Sequence, residues 1–376
     1  MFLALRDIRH AKGRFALMGV VVALITLLLV MLSGLTAGLA DQSTSALRTL
    51  GSGSGSGSGS AATAPRLVDR VVFGAAGTGE PTASFTESQI DAGQLEAWAR
   101  RPGVERAEPL GISQTRIQAG GGGTANVAVF GVERDGGLAP LPVDDGTVVL
   151  GAGIAEALSL EPGDRVDLGG IELSVAGVVQ DRWYSHTSVA WTTLPTWSEV
   201  SRLSDPRQLA TVAAVTYREG AEVDAAAADA AAGTVSATRT GSFRALGSFT
   251  SENGSLRLMQ AFLYGISALV IVAFLTVWTV QRTRDVAVLK AMGASGGYVL
   301  RDALTQAAIV LLAGAGAGGA LGVLGGYLAA QAAPFLVGPA TTLLPVGGIV
   351  VLGLAGAALA VVRVTRVDPL IALGGN

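Results

Sequence analysis

Cysteine is absent from the 376 residues, and histidine and lysine occur only twice each. Without cysteine there is no disulfide, so any exported part must hold together on its own core. A His/Cys metal cluster is excluded by count. A phosphate-binding loop of the G-x-x-x-x-G-K-S/T kind needs a lysine ahead of a hydroxyl residue, whereas Lys12 precedes Gly13 and Lys290 precedes Ala291. The chain therefore carries no such means of hydrolysing ATP alone. His186 follows Ser185 directly, and on an extended chain neighbouring side chains point to opposite faces, which argues against a Ser/His hydrolase pair.

Charge is missing from three long stretches. Phe15 to Ala40 has none over 26 residues, Leu258 to Gln281 none over 24, and Ala303 to Val362 none over 60. A bilayer core takes roughly 20 apolar residues per helix at about 1.5 Å each. Four spans follow, one before and three after more than 200 ordinary, charged residues. Ala37-Gly-Leu-Ala40 resembles a signal-peptide cleavage site, but an apolar core of 26 residues is too long for one. The spans hold no Asp, Glu, Lys, Arg or His, so nothing suggests an intramembrane proton relay.

What charge there is divides sharply. Residues 41–255 hold 15 Arg and no Lys against 25 acidic residues, a balance of −10, and the remainder holds 11 basic against 4 acidic, +7, which together make the net −3. The basic groups fall before span one (Arg6, Arg9, Lys12, Arg14), between spans two and three (Arg282, Arg284, Lys290, Arg301) and after span four (Arg363, Arg366). By the positive-inside rule those segments and both termini are cytoplasmic, and the acidic domain and the 3–4 connection are outside. The expected product is a multi-pass protein of the cell membrane with lipid around it and no nucleic-acid partner.

The expected domains follow along the chain. Residues 1–14, with Phe2, Leu3, Leu5 and Ile8 among basic residues, fit an amphipathic helix on the inner leaflet. Span one is 15–40. Residues 41–65 combine a helical stalk with five Gly-Ser repeats (51–60), a flexible coil of roughly 17 Å root-mean-square, either natural low complexity or an engineered replacement of a loop. Residues 66–239 form an outer α+β domain. Within it, 66–135 read strand, helix (Ser88 to Arg101, with Ile90, Leu95 and Trp98 on one face), strand, strand. Residues 146–182 read as a small β module of strand, short helix and hairpin, followed by a strand at 209–217 and an Ala-rich helix at 221–232. A second stalk (240–257), span two (258–281), a cytoplasmic loop (282–302), span three (303–333), an outer loop (334–345), span four (346–363) and a tail (364–376) complete the chain. Gly314, Gly318, Gly322 and Gly326 make a four-residue ladder on span three that permits close helix approach, either across a dimer or against spans two and four of the same subunit.

Two cytoplasmic segments carry a family resemblance. Gln281-RTRDVAVLKAMGASGGYVLRDAL resembles the loop of the FtsX/MacB-type (type VII) permeases of ABC transporters, with Arg284, Asp285, Val286, Val288, Leu289, Lys290, Met292, Gly293, Ala294 and Ser295 at the matching positions. In that family the loop is a coupling helix docked into a groove of the partner ATPase. An amphipathic turn offering Val286, Leu289 and Met292 suits such a groove. The tail Arg366-Val-Asp368-Pro369-Leu-Ile-Ala-Leu373 is similar to the family's R-x-D-P-x-x-x-L ending. The resemblance implies four transmembrane helices with an inserted outer domain, part of it ferredoxin-like and part a small β module. It also implies a non-enzymatic homodimer, two ATPase subunits carrying ATP and Mg, and a mechanotransmission mechanism.

Residues 3–39 look like the HrtB-type haem-export permeases, which makes haem the first expected substrate and leaves this chain no cofactor of its own. Haem needs an apolar slot, an axial ligand and a basic group. Met31, Met259, Tyr264 and Arg257 are chemical candidates for these, although packing, interface anchoring and snorkelling explain such residues equally simply. Lipid, peptide or antibiotic export, FtsX-like signalling to a cell-wall hydrolase, lipoprotein release and a membrane-anchored binding domain without an ATPase are the alternatives.

Overall fold

The computed structural model describes residues 12–52, 66–77, 79–281, 288, 292 and 295–365. The chain divides into two compact units, residues 40–252 and residues 1–39 with 253–376.

The larger unit grows from short strands whose alternate residues face opposite ways. Its elements include the end of helix α1 (Lys12–Arg48), then β1 (Arg70–Phe73), α2 (Ala92–Ala99), β2 (Val104–Ala119) and β3 (Thr124–Val132). There follow β4 (Thr147–Gly151), α3 (Ala152–Leu158), β5 (Arg165–Leu168), β6 (Ile171–Val179), β7 (Trp183–Tyr184), β8 (Thr187–Thr193) and α4 (Leu194–Ser201). The unit closes with β9 (Val212–Tyr217), α5 (Ala225–Ala232), β10 (Val235–Thr238), a 3-10 turn (Gly241–Ala245) and the start of α6 (Gly247–Gln281).

Two architectures share one strand. The antiparallel order β10-β1-β9-β2, with α2 and α5 on one face, is the split β-α-β-β-α-β arrangement of a ferredoxin-like fold. Alternation divides its side chains: Val72, Ala213 and Val215 pack under the helices with Trp98 and Ala228, while Val71, Phe73, Val212 and Ala214 enter the second layer. Strand β2 is long enough to serve twice. Val104 to Leu110 pair with β9, and from Gly111 onward the strand pairs with β3 and then β5. The pairings β2-β3-β8-β4-β6-β5-β2 close a six-stranded barrel. Val127, Val129, Val148, Leu150, Val166, Leu168 and Val175 fill it, and Trp197 of α4 lies over Gly111 and Gly131, two paired glycines that leave room for the indole.

This corrects the linear partition at 135/146. The β module is an insertion in the ferredoxin-like part, and it takes β3 and half of β2 as well. Helix α2 is also shorter than 88–101. Asp91 caps it with a capping box to Gln94, and Ile90 lies ahead of it in a bridge to Ala210, although Ile90 and Trp98 share a core.

Among the described residues, four helices are long and apolar enough to cross a membrane: Phe15–Arg48, Gly247–Trp278, Gly296–Ala329 and Pro339–Ala360. The last two belong to α7 (Gly296–Ala329) and α8 (Pro339–Thr365). The predicted outer loop 334–345 is shorter than expected, because α8 begins at Pro339 and carries Pro345 inside it. Thr341 Oγ accepts from Gly338 N (3.0 Å) at that start, which satisfies an end group of the kind a helix leaves unpaired. The smaller unit's core joins Met18, Val22 and Leu29 to Ile271, Leu275, Leu311, Ala315 and Ile349.

Candidate functional site

Of the coupling segment, Val288, Met292 and Ser295 are described. Met292 N donates to Val288 O (3.0 Å), Met292 is 72% exposed, and Ser295 caps α7. Arg284, Asp285, Val286, Leu289, Lys290 and Gly293 lie outside the described residues, as do the amphipathic stretch 1–11, most of the Gly-Ser tract and the tail from 366.

Three glycines of the ladder, Gly314, Gly318 and Gly322, are turned toward span one, not toward spans two and four. A methyl at Gly318 would overlap the backbone carbonyl of Ala23. One at Gly314 would meet Gly19 O and Val22, one at Gly322 would meet Val30, and one at Gly326 would meet Phe335 and Val337. The glycines let the two backbones touch. Span four supplies its own: Gly348 and Gly356 face Tyr264 and Val272 of span two, and Gly353 faces Leu311 of span three.

The haem candidates do not come together in this chain. Met31 packs its sulfur against Gly325 of α7, while Tyr264 lies on Gly348 of α8. Met259 shares an exposed apolar stripe of span two with Leu258, Phe262, Ile266 and Leu269, and Arg257 is exposed just before it. Gln260 Nε2 donates to Thr36 Oγ (3.2 Å), tying spans one and two. Among the described residues, a groove of about 630 Å³ lies between α7 and α8, lined by Leu300, Arg301, Leu304, Ala308, Leu354 and Ala358.

In the larger unit the run Trp183-Tyr-Ser-His186 is not extended. Strands β7 and β8 form a two-residue hairpin whose turn residues, Ser185 (φ 47°) and His186 (φ 63°), are both left-handed. His186 Nε2 lies 3.1 Å from Ser43 Oγ and 2.8 Å from Glu252 Oε2. A serine, a histidine and a carboxylate thus meet, but on one ring nitrogen. A hydrolytic triad needs the acid on one nitrogen and the hydroxyl on the other. Ser43 is also only 1% exposed. The cluster is structural; the extended run expected at Ser185 and His186 is a turn instead, in which Ser185 Oγ pairs with Ser248 Oγ (3.1 Å).

Burial sets the ionisation of the groups beside this hairpin. It lowers the tendency of the Arg182 guanidinium to stay protonated and pushes the Tyr184 phenol upward. Among the described residues, no three His, Asp or Glu side chains are grouped to hold a metal.

The sequence comparisons decide the family. Residues 16–232 match the model of the MacB-like periplasmic core domain, and residues 257–369 match the FtsX-like permease C-terminal domain. The chain belongs to the FtsX/MacB-type ABC transporter permeases. Among its relatives are the Mycobacterium tuberculosis ABC transporter permeases Rv2563, 25% identical, and Rv0072, 24% identical, each aligned over 100% of this chain and 99% of its own length. A hemin transport system permease protein HrtB of Staphylococcus epidermidis is 24% identical over 59% of this chain and 61% of its own. The extracellular domain of the ABC-type transporter YknZ from Gram-positive bacteria aligns at 12% identity over 46% of this chain and 98% of that domain (TM-score 0.33). The periplasmic region of MacB from Actinobacillus actinomycetemcomitans aligns at 12% identity over 52% and 92% (TM-score 0.34). As a member of this family the chain is a membrane permease subunit and not itself catalytic.

Proposed function

We propose that this permease works as a homodimer with two ATPase subunits and exports a hydrophobic compound from the membrane, haem first, by mechanotransmission. One observation carries the reading. Helices α1 and α6 each run unbroken from a charge-free stretch into residues that pack in the outer unit's core, Ala46 and Leu47 at the end of α1 and Phe249 at the start of α6. A continuous helix passes displacement along its axis, whereas a coil absorbs it. On the positive-inside reading the basic segments, the coupling loop among them, face the cytoplasm and the ATPase.

The relatives named for hemin transport support haem as the compound to test first. The α7–α8 groove supports it chemically, because apolar walls with one guanidinium among them suit an acidic, hydrophobic molecule. Met31 and Tyr264 would have to act from separate faces or with a second copy, so they remain candidates of the second rank.

Haem titration into the purified permease, followed by absorption, tests this. A saturable Soret shift weakened by Arg301→Gln places the compound in the groove. A shift altered by Met31→Ala or Tyr264→Phe restores the ligands of spans one and two. No saturable shift removes haem and turns attention to another hydrophobic cargo or to FtsX-like signalling. Leu289→Arg, assayed separately, should lower ATP turnover in the assembled complex, and unchanged turnover would count against coupling through that loop.

A further inference from the structure

We propose that the β7–β8 hairpin is a clasp that binds the outer end of α1 to the first turns of α6, with His186 as its positioning residue. The inference rests on the mechanotransmission reading for its purpose and on geometry for its existence.

A two-residue hairpin wants residues that tolerate positive φ at both turn positions, typically Asn-Gly. Here Ser and His stand in that conformation, which L side chains with a Cβ adopt at a cost. Such a turn persists only where its surroundings hold it, and these strained positions gather at functional sites. The holding contacts are on two different helices. Toward α1, Ser185 N donates to Ser43 O (3.1 Å), His186 N donates to Gln42 O (3.0 Å), and Trp183 N donates to Ser45 Oγ (2.8 Å). Toward α6, Ser185 Oγ meets Ser248 Oγ (3.1 Å) and His186 Nε2 meets Glu252 Oε2 (2.8 Å). A carboxylate only accepts, so Nε2 carries the hydrogen, and the nearby Ser43 Oγ (3.1 Å) brings α1 to the same atom. His186 is thus held against both helices, its ring N–H shared between Glu252 and Ser43 and its backbone N–H bonded to Gln42.

The hairpin is also fixed at its root. Tyr184 packs edge-on against Phe85 and Phe130, which continue the aromatic line to Phe73 and Trp191. Arg182 lies over Trp191 (5.8 Å) and reaches Thr49 O (3.4 Å) and Ser52 Oγ (3.3 Å) beyond the end of α1. A rigid lever with its base in the core and its tip on both helices keeps those helix ends together and conveys their displacement to the sheet.

The absence of cysteine makes the test direct. Spin labels at R48C and T250C in the full chain in nanodiscs report the separation of the two helix ends. The wild-type background should give a narrow distance distribution. His186→Ala should broaden it, and His186→Gln, which keeps an N–H donor, should narrow it again. Ser185→Cys with Ser248→Cys replaces the 3.1 Å hydroxyl pair with an oxidisable one, scored as disulfide by mass spectrometry in an otherwise cysteine-free chain. Oxidation that forms this bond readily in the double-cysteine chain with His186 in place, and slowly when His186→Ala is added, supports the clasp. An unchanged distribution together with equal oxidation rates overturns it. Repeating the distance measurement in the ATPase complex with and without ATP separates the two ideas. A clasp that loosens with His186→Ala while ATP moves nothing would keep the clasp and overturn mechanotransmission.

Discussion

Single glycines decide how the spans pack. Gly318 has a backbone carbonyl where its Cβ would be, whereas Gly316, two residues away, has open space. Gly318→Ala should therefore destabilise the membrane unit by about 1–3 kcal/mol through overpacking. Gly316→Ala should be neutral or stabilising by up to about 1 kcal/mol through helix propensity. Thermal unfolding in detergent distinguishes them, and equal effects would refute the assignment of Gly318 to span one. Glu133 offers a pH test in the larger unit. Partial desolvation, and then the neighbouring Glu108, raise its pKa above the usual carboxylate value. A carboxyl whose folded pKa is raised costs stability once pH climbs past its unfolded pKa, and the cost is complete above the folded one. Glu133→Gln should raise the melting point modestly at neutral pH and leave it unchanged well below about pH 4. A neutral-pH melting point that falls or stays put would contradict this. The spacing of the glycine ladder was plain in the sequence. Its partner was not, because a ridge of small residues fits any neighbouring helix and only the packed unit chooses one.

At the scale of elements, the barrel and the hairpin carry the load. Trp197 is almost fully buried over the Gly111–Gly131 pair. Trp197→Ala should cost about 3–5 kcal/mol of stability in the larger unit, read as a lower midpoint in chemical denaturation. A loss below about 1 kcal/mol would mean that the barrel does not need this plug. Most strands were legible from period-two alternation: Val166 and Leu168, or Leu173 and Val175, point into the barrel as their spacing requires. The turn at Ser185-His186 was not legible, since a two-residue hairpin announces itself through Asn or Gly at its positive-φ positions and this one has neither. A two-residue gap between two apolar segments was the remaining trace. Closure was also hidden, because Ile117 pairing with Leu168 joins residues 51 positions apart on strands with no local mark of each other.

For the whole molecule, the charge asymmetry makes a topological prediction. A lone cysteine in place of Arg100, whose side chain is 74% exposed, should react with a membrane-impermeant maleimide on intact cells. One in place of Met292, also exposed, should react only after permeabilisation. The reverse pattern would invert the protein in its membrane. The long charge-free stretches, the four spans and the two family segments were all written in local composition, because transfer of apolar helices into lipid depends on the residues in each stretch and little on their neighbours. The sequence by itself therefore determined a four-span permease with an inserted α+β domain. Tertiary structure alone decided that the β module interrupts a ferredoxin-like part, that Gly314, Gly318 and Gly322 meet span one, that Met31 and Tyr264 face different helices, and that His186 joins two helix ends. Each of these depends on pairing between distant residues, which cooperative packing selects among alternatives that local pattern leaves equal.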